Sequence, residues 1–196
     1  MNNTRIISLV FLVLSIVLAG FLGYDIYKSI DDEERIARVE GQIIKKLEMI
    51  RDAQVAYQAV NGQYTSDWGK LKSFVDTGQF YLTTRIEHIY TLDYGADSVF
   101  VEIDTLGTML VKDSIFTIEK YPGFDLLSLD VVPGTDDTKF NMWAEKIDKS
   151  GVKVDVVEVW NPSPVDPRRK EENEARNRKP LRFGSRTSVT TNGNWE

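Results

Sequence analysis

The amino-acid sequence predicts an α+β fold, in which a long N-terminal helix, transmembrane and then amphipathic, packs on a small antiparallel β-sheet and is followed by an extended C-terminal tail. Three observations support this fold class. Residues 6–24 form an uninterrupted apolar run. Apolar residues then recur at spacings of three and four as far as Val60, which is typical of one face of a helix. Beyond residue 79 apolar and polar positions alternate, which is typical of strands.

The apolar run at residues 6–24 contains no charged side chain. At about 1.5 Å per residue it nearly spans a hydrocarbon core of roughly 30 Å. Arg5 precedes the run and the acidic residues 31–34 follow it, which weakly favours a cytoplasmic position for residues 1–5. We therefore expect a single-pass protein of a bacterial inner membrane that contacts lipid through residues 6–24, with the C-terminal domain in the periplasm.

A cleaved signal peptide is the alternative reading of the same run. Val17, Leu18 and Ala19 offer a small-residue cleavage site. The apolar stretch continues to Tyr24, which is longer than the apolar part of a normal signal peptide and favours an anchor.

The helix is predicted to continue outside the membrane from Ser29 to about Asn61. Acidic residues 31–34 suit the start of this segment, and Asn61-Gly62 suits its end. The apolar stripe along this segment is expected to pack partly on the protein's own sheet and partly on neighbouring proteins. We interpret six members of the stripe as partner-binding residues: Ile36, Val39, Ile43, Leu47, Ile50 and Tyr57.

A second, short helix is predicted to begin at a cap formed by Ser66 or Asp67 and to end at Thr77-Gly78. Turns are expected at residues 95–97 and 106–107, and a helical or irregular piece at residues 137–149. The predicted strands are residues 86–94, 98–104, 108–118, 125–132 and 152–160. Residues 25–160 would thus form one α+β domain.

Residues 161–196 contain four of the six prolines and are interpreted as a separate, basic tail. Residues 168–186 hold eight Lys or Arg side chains and three Glu, whereas the chain as a whole has a formal net charge of −6. A basic segment on an acidic protein favours docking on the body or on an acidic partner, and a solvated, mobile terminus is the alternative interpretation of the same segment. The candidate docking residues are Arg168, Arg169, Lys170, Arg178, Lys179, Arg182, Phe183 and Trp195.

The composition removes much of the usual catalytic chemistry. The chain has no cysteine and one histidine, so it has no thiolate metal site, cysteine nucleophile or pair of histidine ligands. His88 is read as an ordinary strand residue, and glycine-rich phosphate loops are missing from the sequence. We expect a protein that is not an enzyme, needs no cofactor or metal, and binds neither nucleic acid nor a small-molecule substrate.

Residues 40–78 resemble the type II secretion pseudopilins and type IV pilins. In these families a long first helix ends in an alanine-containing turn and a tyrosine, followed by an Asn-Gly-x-Tyr-Pro-like corner and a short helix; Thr65 stands here in place of the usual proline. The matching residues here are Ala53, Ala56, Tyr57, Asn61, Gly62, Tyr64, Trp68 and Leu71. The prepilin peptidase motif is lacking, because Arg5-Ile6-Ile7 stands in its place and the apolar run contains no glutamate. The resemblance therefore implies an uncleaved pilin-like or assembly-platform protein.

The expected function is that of a structural component of a bacterial secretion or pilus-related apparatus, acting by protein–protein assembly. Its expected partners are other envelope proteins, among them further copies of this chain. Two alternatives stay open at this point. One is an assembly-platform scaffold of defined stoichiometry, and the other is a periplasmic ligand-binding protein released by signal-peptide cleavage.

Overall fold

A computed structural model describes residues 3–92, 95–165 and 180–196 of the chain. Three helices and five strands occur in these ranges, and the predicted α+β class is confirmed. In chain order they are α1 (Asn3–Asn61), α2 (Trp68–Thr77), β1 (Gln79–Thr91), β2 (Asp97–Leu110), α3 (Val111–Ile115), β3 (Asn141–Lys149), β4 (Val152–Trp160) and β5 (Arg182–Gly184).

Helix α1 is continuous over 59 residues, which corresponds to a rod of about 90 Å. The large apolar side chains between Ile7 and Ile30 are exposed, whereas those between Ile43 and Ala56 are mostly buried. Within the described residues this is one helix long and apolar enough to span a membrane. The predicted membrane segment and the predicted amphipathic segment are therefore parts of a single helix.

The corner between α1 and α2 is fixed by a buried amide. The side chain of Gln54 donates to the carbonyl oxygen of Thr65 at 2.7 Å and accepts from the N–H of Thr65 at 3.2 Å. Gly62 adopts a φ of 70°, which ends α1 in the left-handed conformation expected after a helix. Asp67 caps α2 by accepting from the N–H groups of Gly69 and Lys70, which confirms one of the two predicted caps.

The strands form two separate antiparallel sheets, where the sequence predicted one. Strands β3, β4 and β5 form a three-stranded sheet in that order, and β1 pairs with β2 in a two-stranded hairpin. The three-stranded sheet faces the apolar stripe of α1, and its buried residues share one core with α2. This core includes Ile43, Leu47, Ile50, Leu71, Val75, Val157, Val159 and Phe183.

Strand β3 corrects the prediction of a helical or irregular piece at residues 137–149. It pairs with β4 along its whole length, from Asn141 opposite Trp160 to Lys149 opposite Val152. Ser150 and Gly151 both have positive φ, as a two-residue hairpin turn requires. A polar sequence becomes a strand here because the strongly strand-forming β4 pairs with it.

Two predicted strands are wrong over most of their length, although residues 108–110 do belong to β2. Residues 108–118 end β2 and then form α3, because the N–H of Val111 binds the carbonyl oxygen of Gly78 and its side chain is buried. Residues 125–132 form turns, since the carboxylate of Asp125 accepts from the backbone of Leu127 and Ser128. Residues 106–107 form no turn but lie at a register irregularity within β2.

The irregular connection between α3 and β3 is held by Asp130, whose side chain is only 3% exposed. Its carboxylate binds the ammonium groups of Lys72, on α2, and Lys139. Burial disfavours ionisation, but the hydrogen bonds from the two lysines outweigh this effect and hold the pKa of Asp130 below its ordinary value of 3.8.

We expect Asp130→Asn to lower the free energy of unfolding at pH 7 by about 1–3 kcal/mol, because a buried charge-assisted hydrogen bond is lost. The ionised form stabilises the fold at pH values above 3.8, and this contribution disappears as the pH falls through the lower folded-state pKa. Urea titrations followed by tryptophan fluorescence should show the difference shrinking in that acidic range. Asp136→Asn, at an exposed position, is the matched control. If both variants lowered the free energy of unfolding equally, the stabilising role of the buried Asp130 carboxylate would be contradicted.

Candidate interaction surfaces

Half of the predicted partner-binding stripe lies inside the protein's own core. Ile43, Leu47 and Ile50 have no exposed surface and pack in the core that includes Val157 and Phe183. A fully buried side chain has no surface to offer to a second protein in this conformation. The stripe therefore joins α1 to its own sheet at these three positions.

The other three predicted residues remain partly accessible. Val39 and Tyr57 are partly buried against the edge of the same core, and Ile36 is partly buried closer to the membrane segment. The ring of Tyr57 meets Phe74 of α2 edge-on, with centroids 5.1 Å apart. Tyr57 thus contributes to the contact between the two helices.

We expect Leu47→Ala to lower the free energy of unfolding by about 2–5 kcal/mol, because it leaves a cavity between α1 and the sheet. Val55→Ala removes an exposed apolar side chain from the same helix and should cost under about 1 kcal/mol. Urea unfolding of the full chain in detergent measures both values. If Leu47→Ala abolished assembly but left the free energy of unfolding unchanged, the placement of Leu47 in the protein's own core would be contradicted.

Three of the predicted docking residues lie on the folded body. Arg182 and Phe183 belong to β5, which pairs with Trp160 and Val159 of β4, and Phe183 is completely buried. Trp195 packs partly buried against the core. The remaining five, Arg168, Arg169, Lys170, Arg178 and Lys179, lie outside the described residues.

A clamp of charged and aromatic side chains holds this C-terminal segment, and sequence reasoning missed most of it. Glu158, only 13% exposed, accepts hydrogen bonds of 2.7 Å from both Arg182 and Arg186. The guanidinium of Arg186 also lies 4.7 Å from the ring centre of Trp160 and 5.4 Å from that of Trp143. An acidic residue in the otherwise apolar run VVEVW was the one signal that could have indicated a buried charge partner.

Gly184 explains how β5 approaches β4 so closely. It has a φ of 78°, and a Cβ at this position would collide with the carbonyl oxygen of Val157. Only glycine adopts this conformation without strain. The residue thus allows the chain to leave the sheet toward Arg186.

We expect Glu158→Gln to weaken the clamp, because the neutral amide cannot pair with two guanidinium groups. Amide exchange of residues 182–196 should become faster, and the free energy of unfolding should fall by about 1–3 kcal/mol. Hydrogen exchange with mass spectrometry measures the first effect. The control is Glu145→Gln, at an exposed position of β3, and equal exchange in both variants would contradict the clamp.

A shallow groove of about 360 Å³ lies where α1, α3 and the start of β1 meet. Its wall is mostly apolar, and Val55 on α1 is 43% exposed there. Asp52 also lines the groove and accepts from Lys120 at 2.6 Å and from the hydroxyl of Tyr121 at 2.7 Å. The groove is lined by Asp52, Val55, Ala56, Ala59, Phe80, Ser114, Ile115 and Lys120.

Burial together with the neighbouring carboxylate of Asp52 raises the pKa of the Tyr121 phenol. The phenol therefore stays protonated at neutral pH and acts as a fixed hydrogen-bond donor. This arrangement anchors the loop after α3 onto α1 and shapes the groove.

The β1–β2 hairpin is the second accessible surface. Most of its side chains are exposed on both faces, including Tyr81, Ile89, Phe100 and Ile103. His88 lies on β1 with its Nε2 3.1 Å from a carboxylate oxygen of Glu102, as an ordinary cross-strand contact.

Among residues 3–92, 95–165 and 180–196, no three His, Asp or Glu side chains are grouped to hold a metal ion. The accessible apolar features described above are the apolar segment of α1, the groove and the hairpin. No protein-family model, curated protein or solved structure matches the chain.

Proposed function

We propose that the protein is a membrane-anchored structural component of a bacterial envelope apparatus of the secretion or pilus-related type, acting by protein–protein assembly. One observation carries the proposal: a single helix joins an exposed apolar segment to a folded α+β body. The exposed segment from Ile7 onward needs an apolar environment, because water around so many large apolar side chains is unfavourable.

The continuity of α1 supports a positioning role. No loop separates the apolar segment from Ile43, where the helix enters the core. A continuous helix transmits the orientation of the anchor to the body, which suits a part of an assembly better than a freely tethered binding domain. On this proposal the anchor inserts with the N-terminus in the cytoplasm, and the body lies in the periplasm.

The buried stripe favours a scaffold of defined stoichiometry over a filament subunit. Outside the proposed membrane segment, repeated helix-to-helix contact needs a free apolar face on α1, and there Ile43, Leu47 and Ile50 are already used internally. We therefore assign the contact with partner proteins to the groove around Val55, which combines apolar walls with the charged groups of Asp52 and Lys120.

Cross-linking in intact membranes tests the proposal, because the chain has no cysteine of its own. We expect Val55→Cys to give a covalent adduct with a second protein when a short bis-maleimide is added. Val60→Cys is the matched control, since it changes the same residue type on the same helix at 45% exposure, outside the groove.

One discrete heavier band at Val55→Cys would support a scaffold, and mass spectrometry would identify the partner. A ladder of multimers would support a filament-like assembly and contradict the scaffold. If the maleimide reacts equally with the cysteines at positions 55 and 60 and neither variant forms an adduct with a second protein, contact through the groove is contradicted. Release of the protein by alkaline carbonate would contradict the anchor.

A further inference from the structure

The β1–β2 hairpin is an incomplete sheet within the described part of the chain. Strand β1 pairs only with β2 there, so the outer edge of each strand has no neighbouring strand. Backbone N–H and C=O groups along such an edge are available to an added strand. A two-stranded hairpin is marginally stable in water, and a further strand stabilises it. The hairpin therefore offers a docking edge to an extended segment of chain.

The side chains of β2 separate by type onto the two faces of the sheet. The pairing of β2 with β1 is regular from Asp97 to Thr105, so alternate side chains in this stretch point to opposite faces. One face carries apolar side chains that are at least 36% exposed: Val99, Val101 and Ile103. The other face carries two exposed carboxylates, Glu102 and Asp104. A strand added here meets an apolar row on one face and acidic positions on the other.

These two carboxylates are not neutralised by a basic side chain of the hairpin. Within the described residues neither of them forms an ion pair with a lysine or arginine. Glu102 lies 3.1 Å from Nε2 of His88, a ring that is charged only when protonated. Residues 79–110 as a whole carry five acidic side chains and one arginine. The edge of β2 therefore presents an uncompensated negative charge.

This charge distinguishes between the possible occupants of the edge. Anionic lipid headgroups attract basic segments and repel an acidic one. A second copy of the hairpin brings the same excess of acidic side chains and is disfavoured for the same reason. A basic strand is complementary, because opposite charges on neighbouring strands stabilise their pairing. Charge complementarity thus selects a basic partner with apolar residues for the other face.

We propose that the outer edge of β2 binds an extended segment of another envelope protein in which apolar and basic residues alternate. The segment adds a third strand to the hairpin, a recognised mode of peptide binding at sheet edges. Its apolar residues lie on the face of Val101, and its Lys or Arg side chains lie beside Glu102 and Asp104. The inference rests on the proposed function, since it gives the chemistry of a partner to a protein that acts by assembly.

The outer edge of β1 fits such a segment less well. Glu87 is the one acidic residue in β1, and its carboxylate already binds Arg85 at 2.8 Å. The positive charge of Arg85 also opposes a basic strand on that edge. The basic segment is therefore assigned to β2.

Peptide binding to the full chain in a neutral detergent tests the proposal. The probe is a fluorescent peptide of sequence Thr-Lys-Val-Lys-Val-Lys-Val-Lys-Thr, and the control peptide has glutamate at each lysine position. Fluorescence anisotropy at physiological salt should show at least fivefold tighter binding of the lysine peptide, because its charges oppose those of Glu102 and Asp104. Equal affinities for the two peptides, or no binding of either, would overturn the proposal.

Reversing the charge of the edge should reverse the preference. A variant combining Glu102→Lys with Asp104→Lys should bind the glutamate peptide at least fivefold more tightly than the lysine peptide. Both positions are exposed, so the fold should tolerate the change. The matched control combines Asp136→Lys with Asp137→Lys, at exposed positions outside the hairpin, and should keep the original preference. The same reversal in this control would show attraction to overall charge and overturn the site.

A third peptide separates strand addition from charge attraction. The lysine peptide with an N-methyl group on every residue keeps its charge but cannot donate backbone hydrogen bonds. It should bind at least fivefold more weakly, and undiminished binding would overturn the added strand.

The other occupants have their own readouts. A disulfide-linked dimer of Val101→Cys on mild oxidation in membranes would assign the edge to a second copy. A blue shift of a bimane label at Ile103→Cys in phosphatidylcholine nanodiscs would assign the apolar face to lipid. Either result would overturn the basic partner.

The hairpin inference and the proposed function fail in different ways. If Val55→Cys captures a partner but the lysine peptide does not bind, the hairpin inference fails while the proposed function stands. If the peptide binds as expected but alkaline carbonate releases the protein from membranes, the anchor in the proposed function fails instead.

Discussion

The burial of one face of α1 against the three-stranded sheet is the contact on which the rest of the structure depends. Ile43, Leu47 and Ile50 are completely buried, and the core around them also takes in α2 and the connection before β3. Apolar burial is the main favourable contribution to folding, so this face decides where the body begins along the helix. Because α1 is continuous, the position of this core also sets the distance between the body and the exposed apolar segment.

The same contact redistributes the surfaces that can meet other proteins. Because α1 buries its apolar stripe against its own sheet, that stripe is not available to a partner. The groove near Val55 and the β1–β2 hairpin remain exposed. The two sheets illustrate the difference. The β3–β4–β5 sheet buries one face, whereas β1 and β2 have no buried side chain and, within the described residues, pair with no further strand.

In the C-terminal segment, arginines pair with a buried carboxylate of the body at Glu158. Glu158 receives two arginines, and Arg186 lies near the rings of Trp143 and Trp160. A guanidinium suits this position because its plane binds a carboxylate and an aromatic face together, which an ammonium group does less well. These ion pairs and the burial of Phe183 hold the segment on the body.

The sequence by itself determined the features that depend on neighbouring residues. The apolar run, the end of α1 near Gly62, the cap at Asp67 and strand β4 follow from spacing and local hydrogen bonding. The tertiary structure decided the rest. The polar residues 141–149 became a strand by pairing with β4, residues 125–132 became turns around Asp125, and residues 180–196 joined the body through β5. These outcomes depend on contacts between residues distant in the chain, which local periodicity does not encode.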